Sequence, residues 1–360
     1  MQELTTPSAR LRSAGDWHHD GPLLHSAAVE EAFARRVDAL AVDGAACPLP
    51  GSGRTAERFD TLSAVAREDL CVARLVEGHL DAVAILAELG GEGVGPGQYW
   101  GVWAAEPPGS GLTATRSADG WVLNGLKKYC SGAHSCTHAL VTAKAEDGRR
   151  LFAVRTGRPS APFTAAEAGP GTRAGCRPVA DTWQAVGMAG SDSPDIRFTE
   201  VPAVPVGGVE AYVRRPGFHH GGVGVAACWY GGAQAVAQAL FERAEGRDDP
   251  FVDAHAGAVD LRLHTAGTAL LRAAAEIDAD PQDRGDTAAL RALRVRSLVA
   301  EVCADVLDHV GRALGAGPLC HDGRHARAAA DLAVYIRQHH AERDLAALGA
   351  MVTRGAGADR

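Results

Sequence analysis

Between Tyr99 and Pro205 the chain is written in strand-and-turn grammar, and on both sides of that stretch it is written in helical period. In TATRSADGWVLNG two short runs flank Asp119-Gly120, a dipeptide whose backbone suits the tight turn of a β-hairpin. THALVTAKAEDGRRLFAVRT repeats the arrangement, with apolar runs Ala139 to Ala143 and Leu151 to Val154 on either side of Asp147-Gly148. IRFTEVPAVP closes the stretch as a further strand. So much local pairing predicts a small antiparallel β-domain over 99–205.

The flanks differ. Phe33, Val37 and Leu40 recur at helical spacing, and a loop rich in Pro and Gly leads into LSAVAREDLCVARLVEGHLDAVAILAEL, rich in Ala and Leu. GGEGVGPGQ then has the composition of a linker. Beyond the strands, Val295, Leu298, Val302, Val306, Val310 and Leu314 step by three or four, so that helix has one apolar stripe that must pack on others. A last long helix is expected over 326–348. Helices, then strands, then helices predicts an α+β fold: an N-terminal helical domain over 1–98, the β-domain over 99–205, and a C-terminal four-helix bundle over 206–360.

With 360 residues, 46% of them hydrophobic, the chain can bury a large core. Its eight cysteines stand singly, without CxxC pairs or regular spacing, which argues for reduced thiols rather than a disulfide frame or a zinc site. MQELTTPSAR lacks the basic and apolar regions of a signal peptide, and no stretch is apolar for the roughly 18 residues of a membrane span. A soluble, cytoplasmic protein is expected. A formal net charge of -8 gives no attraction to phosphate backbones, so nucleic acid is set aside as a partner.

Three motifs narrow the reading: WGVWAAEPPGSG (100–111), WVLNGLKKYCSGA (121–133) and GMAGSDSPDIRFTEVPAVP (187–205). In order and spacing they resemble the acyl-CoA dehydrogenase family. Its members carry a Trp-rich run ending in Glu-Pro-Gly-x-Gly-Ser, then Gly-x-Lys-x-(Trp/Phe/Tyr)-Ile-(Ser/Thr)-x-Ala after a hairpin, then Gly-Met-x-Gly-Ser-Asp before a strand ending in Val-Pro. The resemblance spans nearly the whole chain in architecture and is weak in the first helical segment. It implies FAD as cofactor. Tyr129 would lie against the isoalloxazine, where flat polarisable surfaces stack favourably. Ser131 would offer its hydroxyl near N5, the hydride-accepting atom. Val102, Ala104, Ala105, Ser110 and Gly111 would bring backbone donors to the flavin's other edge and toward a substrate's thioester arm. Read without the resemblance, the same stretch is a hairpin whose Tyr129 covers the core and whose Ser131 caps a turn.

The chain also departs from the family. The glutamate that removes the substrate's α-proton belongs either in a Tyr-Glu-Gly-Thr run of the last helical segment or at the start of the first helix after the β-domain. Aligning IRQHHAERDLAALG on the first location puts Gln338 in its place, and an amide accepts no proton at neutral pH. The second location falls among Gly224, Val225 and Ala226. Substitutes are Glu342, expected one helical turn from Gln338 on the same face, and His339 and His340, which titrate in a useful range. Their alternatives are a solvated face for the histidines and an ion pair with Arg337 or Arg343 for Glu342. His219 and His220 are a minor candidate. A metal is not expected, because adjacent side chains on a helix point about 100° apart.

Where the family completes each FAD site from a neighbouring subunit, Arg247 and Phe251 stand one residue too far apart, Ala256 replaces a glutamine, and Gly315 and Gly317 remain of a Gly-Gly-x-Gly turn. The adenine end of the flavin would be held differently or more weakly. Three functions follow. One is an FAD-dependent dehydrogenase acting on an acyl thioester or related small molecule. Another is a flavin monooxygenase on the same fold, like relatives that oxygenate sulfur, amino sugars or aromatic substrates. The last is a catalytically silent homologue that assembles through its helices. The family habit implies a homodimer or homotetramer.

Overall fold

The computed structural model describes residues 26–42, 47–157, 175–246 and 248–355. Three helices come first: α1 (Ser26–Val42), α2 (Thr55–Glu68) and α3 (Leu70–Leu89). Asp69 starts α3 by accepting hydrogen bonds from the backbone of Cys71 and Val72, and Gly90 ends it in the left-handed conformation that glycine adopts without strain. Seven strands follow: β1 (Trp100–Trp103), β2 (Thr113–Ser117), β3 (Gly120–Lys127), β4 (His138–Ala145), β5 (Gly148–Arg155), β6 (Cys176–Pro178) and β7 (Ile196–Val206). Then come α4 (Ala211–Arg214), α5 (Pro216–Ala244), α6 (Pro250–Ala279), α7 (Ala288–Leu314), α8 (Gly317–His321), α9 (Gly323–Tyr335) and α10 (Glu342–Gly355). No helix among the described residues is long and apolar enough to cross a membrane.

Both Asp-Gly hairpins form, as β2–β3 and β4–β5. The expectation of a purely antiparallel sheet needs correction: β1 and β2 each pair with β4 in parallel. Strand order β4-β2-β3-β7-β5 returns to β4, so five strands close into a barrel, with β1 added outside it. Closure removes the free edges that a flat antiparallel sheet would leave. Trp103, Leu123, Val141, Phe152 and Phe198 fill one interior. Leu140, Leu151 and Val206 face the opposite way and meet Ala82, Ile85 and Leu86 of α3. This two-sided burial is why β4 reads as an unbroken apolar run.

Helix α5 runs through the centre of the helical layer, against α2, α3, α6, α7 and α9. The apolar stripe of α7 packs there through Val295, Val299, Val302, Val306 and Val310. The single long helix expected over 326–348 is instead two. Helix α9 passes into a 3-10 turn at Ile336–Gln338, the chain extends at His339, and Ala341 takes a positive φ of 45° before α10 begins.

Candidate functional site

The rim of the barrel is built where two of the sequence motifs meet. After β3 the chain turns over Tyr129, which sits in the left-handed region at φ 57°, uncommon for a residue with a side chain. The residue is 54% exposed, so it does not cover the core. The next residues are joined to the Gly-Met loop by backbone hydrogen bonds: Cys130 N to Pro194 O at 3.0 Å, Gly132 N to Ser191 O at 2.9 Å and Ala133 N to Asp192 O at 3.1 Å. The ring of His134 binds the Asp192 carboxylate, which raises the histidine's pKa. Met188 N donates to Asp331 of α9, tying the loop to the helices.

A relay of hydroxyls ends at Ser131. Ser191 Oγ donates to Met188 O at 2.8 Å, Ser193 Oγ lies 2.9 Å from Ser191 Oγ, and Ser193 Oγ donates to Ser131 Oγ at 2.8 Å. The Ser131 oxygen is thus an acceptor, and its own proton remains to be donated.

The loop carrying Ala104, Ala105, Ser110 and Gly111 is pinned from inside the barrel. Lys127 is buried and donates to Thr142 O at 2.8 Å and Thr142 Oγ1 at 2.7 Å; Thr142 Oγ1 in turn donates to Glu106 at 2.8 Å. Burial lowers the Lys127 pKa to about 8. Gly111 N donates to Leu126 O at 3.2 Å, and an added Cβ at Gly125 would fall 1.9 Å from Gly111 O. Ser110 Oγ is buried without a partner among the described residues. An exposed aromatic residue at Tyr129, a donor at Ser131 and an orphaned hydroxyl at Ser110 are groups of the kind that hold a flat heterocycle with polar edges, as a flavin is.

Beside Ser131 lies a slit too thin for a water molecule, lined by Trp100, Gly101, Val102 and Cys136 on one wall and by Arg74, Leu75 and Gly78 of α3 on the other. Sequence reasoning missed this second wall. Arg74 Nη1 donates to Glu77 Oε2 at 2.8 Å, and burial raises the Glu77 pKa to about 7 against the opposing pull of Arg74. Arg74, Glu77 and Asp81 recur at helical spacing on a helix that is otherwise buried and apolar, and that was the signal available in the sequence.

The expected proton acceptors lie elsewhere. None of Gln338, His339, His340 and Glu342 lines the slit. Gln338 is exposed, and its backbone oxygen accepts from Arg296 at 3.2 Å. Both ring nitrogens of His339 are engaged, one with Ser297 Oγ at 2.9 Å and the other with Ala341 N at 3.2 Å; burial lowers its pKa. His340 is exposed beside Asp344, 3.3 Å away. Glu342 is exposed in the first turn of α10, and the break at 339–341 removes the helical face it was expected to share with Gln338. His220 Nε2 lies 3.2 Å from Pro281 O, and His219 stacks edge-on to Phe218.

Arg247 lies outside the described residues. Phe251 is exposed at the start of α6, and Gly315 and Gly317 are exposed after α7. The contact of His255 with His309, Nδ1 to Nδ1 at 2.9 Å, brings these helix ends together.

No protein-family model matches the chain, and no curated protein matches it in sequence. Solved structures match it in fold. KijD3, in complex with FMN and a dTDP-3-amino-4-keto sugar, is 20% identical with a TM-score of 0.69, covering 97% of this chain and 95% of that one. The dibenzothiophene monooxygenase TdsC from Paenibacillus sp. A11-2, also solved with FMN, is 17% identical with a TM-score of 0.69, covering 92% and 90%. A steroid ACAD variant, Tcur3481-Tcur3483, is 18% identical with a TM-score of 0.62, covering 92% and 90%. At these identities the likeness is one of fold.

Proposed function

We propose that the protein is a flavin-dependent oxidoreductase that holds its flavin against Tyr129 and oxidises an acyl thioester or related small molecule. One observation carries the reading: an aromatic ring presented to solvent by a left-handed backbone, next to a serine whose oxygen is already an acceptor and whose proton is left to give. The flavin complexes of KijD3 and TdsC, on the same fold, support it. When bound, the flavin supplies a two-electron acceptor for hydride.

The chain's own residues do the rest. Tyr129 would stack on the ring. Ser131 would donate to it, its rotamer fixed by Ser193 and Ser191. Ser110 and the backbone of Val102, Ala104, Ala105 and Gly111 would hold it from the loop that Lys127 and Glu106 pin. FAD is the proposed form. Its adenine half would be gripped by Phe251, Gly315 and Gly317 of a neighbouring subunit, with Arg247, in a homodimer or homotetramer. Among the expected proton acceptors, Gln338 and His339 serve the turn into α10, whereas His340 and Glu342 are exposed and would act only on a substrate approaching from that side.

A second reading, a monooxygenase using reduced flavin and O2, is favoured by the neutral Gln338 and by the fold likeness to TdsC. The test is flavin uptake followed by absorbance, with FAD and FMN in both oxidation states. Uptake of oxidised FAD and anaerobic bleaching by a panel of saturated acyl-CoAs are expected. Uptake of reduced flavin alone moves the protein to the second reading. Failure to bind any flavin sinks both and leaves a silent homologue.

A further inference from the structure

A cavity of about 240 Å³ opens between α5, the junction of α2 with α3, and the start of α9, and it shares no lining residue with the slit beside Ser131. Helix α2 stops at Glu68, Asp69 is extended, and α3 sets off at Leu70; α9 begins at Gly323 behind an equally extended Asp322. Between these two corners α5 presents Ala235, Gln238, Ala239 and Glu242, one face at helical spacing, and its two alanines are too short to fill the gap. Ala66, Leu70 and Ala328 add further apolar lining. At a liquid volume of about 30 Å³ per water, the space suits a molecule of about eight non-hydrogen atoms.

The polar part of the lining has acceptors that are taken and donors that are not. Glu68 accepts from Arg36, Asp69 and Asp322 cap α3 and α9 through their Oδ1 atoms, and Glu242 accepts from Gln238 Nε2 at 2.9 Å. Asp331 accepts from Met188 N and from Arg327 Nε at 3.3 Å, and Arg327 Nη2 stands 2.8 Å from Asp69 Oδ2. By contrast Arg67, in the last turn of α2, and Arg324, in the first turn of α9, are exposed and have no hydrogen bond or ion pair among the described residues. His325 is only 7% exposed, and its Nδ1 is covered without a partner. Burial lowers its pKa, so the ring is neutral and carries one N–H. Unpaired guanidinium groups take an oxyanion in a two-pronged geometry, and the positive ends of α3 and α9 lie at the same place. The lining as a whole holds five carboxylates against three arginines, which disfavours a bare dianion and suits a single negative charge on an apolar body. We propose that this cavity binds a small carboxylic acid as its anion, with the carboxylate held by Arg67 and Arg324 beside His325 and the apolar body lying on Ala235 and Ala239 of α5.

The test uses the full-length protein, which has three methionines, and one of them, Met188, donates to Asp331 in the cavity wall. Amide NMR of the methionine-labelled chain, with Met188 assigned by loss of its signal in Met188→Leu, is followed during titration with benzoate, with its neutral isostere benzamide and with inorganic phosphate. Benzoate is expected to move the Met188 signal along a saturable curve and to raise the melting temperature as its concentration rises. Benzamide and phosphate are expected to bind at least about tenfold more weakly. Arg67→Gln and Arg324→Gln are each expected to keep the melting temperature of the ligand-free wild type and to weaken benzoate about tenfold, as loss of a charge-assisted hydrogen bond does. Ala239→Leu, which fills the space from α5, is expected to abolish the shift; should it fail to fold, the arginine variants decide. Equal binding of benzoate and benzamide overturns the charged head, and phosphate as tight as benzoate overturns the apolar body. Unchanged affinity in both arginine variants, or no binding by the wild type, overturns the site altogether. None of these readouts involves flavin, so the flavin reading stands or falls separately.

Discussion

The barrel rim and α3 meet across one thin slit, and the rim and the charged stripe of α3, which reaches the slit only through Arg74, are built on opposite principles. The rim carries charge at its edges, in His134 with Asp192 and in Lys127 near Glu106, but is joined mainly by its main chain. Its two loops are joined by backbone hydrogen bonds, its hydroxyls hand on a single donor, and its aromatic ring is left in solvent. The stripe is charged and sealed. Arg74 donates to Glu77 inside a helical core, while Arg215, also buried, reaches Glu88 at 2.8 Å and Asp81 at 3.5 Å. Geometry in the rim is set by the main chain and tolerates loss of a side chain. Geometry in the stripe is set by charge balance, and losing one partner strands the other.

Breaking the rim therefore requires an attack on its backbone. Gly125 has φ 125°, and a Cβ there would overlap the Gly111 carbonyl at 1.9 Å. Gly125→Ala is expected to cost about 4 kcal/mol or more of stability, read by urea unfolding, since strain and a clash with main chain both act and neither has a flexible side chain to yield. A loss under about 1 kcal/mol would show that the loop slides freely over β3 and that the rim is less fixed than its hydrogen bonds imply.

The next largest effect belongs to the stripe and is a matter of pH. The Glu77 pKa rises on folding from the ordinary 4.5 to about 7, so the folded state holds its proton more tightly than the unfolded chain does. Its stabilising share is complete below the unfolded value and is lost as pH climbs through the folded one. Relative to Glu77→Gln, which has no such proton, wild type should lose about 3 kcal/mol of stability between pH 4.5 and pH 7, at about 1.4 kcal/mol per unit. Parallel stability curves for the two proteins across that window would place Glu77 with the ordinary carboxylates.

What the sequence disclosed follows the same division. Rim residues are contiguous, so the local motifs WVLNGLKKYCSGA and GMAGSDSP point to Tyr129, Ser131 and the loop beside them. Asp119-Gly120 and Asp147-Gly148 likewise announce the hairpins that form. Parallel pairing of β1 and β2 with β4 was not legible, because it joins segments with no turn between them. Nor was the break at 336–341: the residues there are ordinary helix formers, and the turn is held by tertiary bonds from Ser297 and Arg296 of α7. The environment of Glu77 is the extreme case. Its setting is supplied by α2, α4, α5, α7 and α9, whose approach no local pattern encodes, although three ionisable residues at helical spacing in LCVARLVEGHLDAVAIL mark the stripe itself.

A smaller effect sharpens the rim's half of the contrast. Ser193→Ala removes the hydrogen bond donated to Ser131 Oγ and leaves Ser131 and Ser191 able to reorient. The expected cost is about 1 kcal/mol in stability, measured by thermal unfolding, with the barrel otherwise intact. A larger cost, approaching that at Gly125, would mean that the hydroxyl relay and not the backbone joins the two loops.

The smallest structural effect is predicted where the functional one is visible. Tyr129 is 54% exposed, so Tyr129→Ala should change stability by under about 0.5 kcal/mol. Its backbone is also strained, and alanine relieves none of that, so no stabilisation is expected either. Flavin affinity, measured by fluorescence quenching, should nevertheless fall about fivefold, because an aromatic stacking contact contributes about 1 kcal/mol beyond buried area. Tyr129→Phe should restore it. If alanine at 129 instead unfolds the rim while leaving flavin affinity unchanged, the exposed ring is a structural prop and the plate for the heterocycle must lie elsewhere on the barrel.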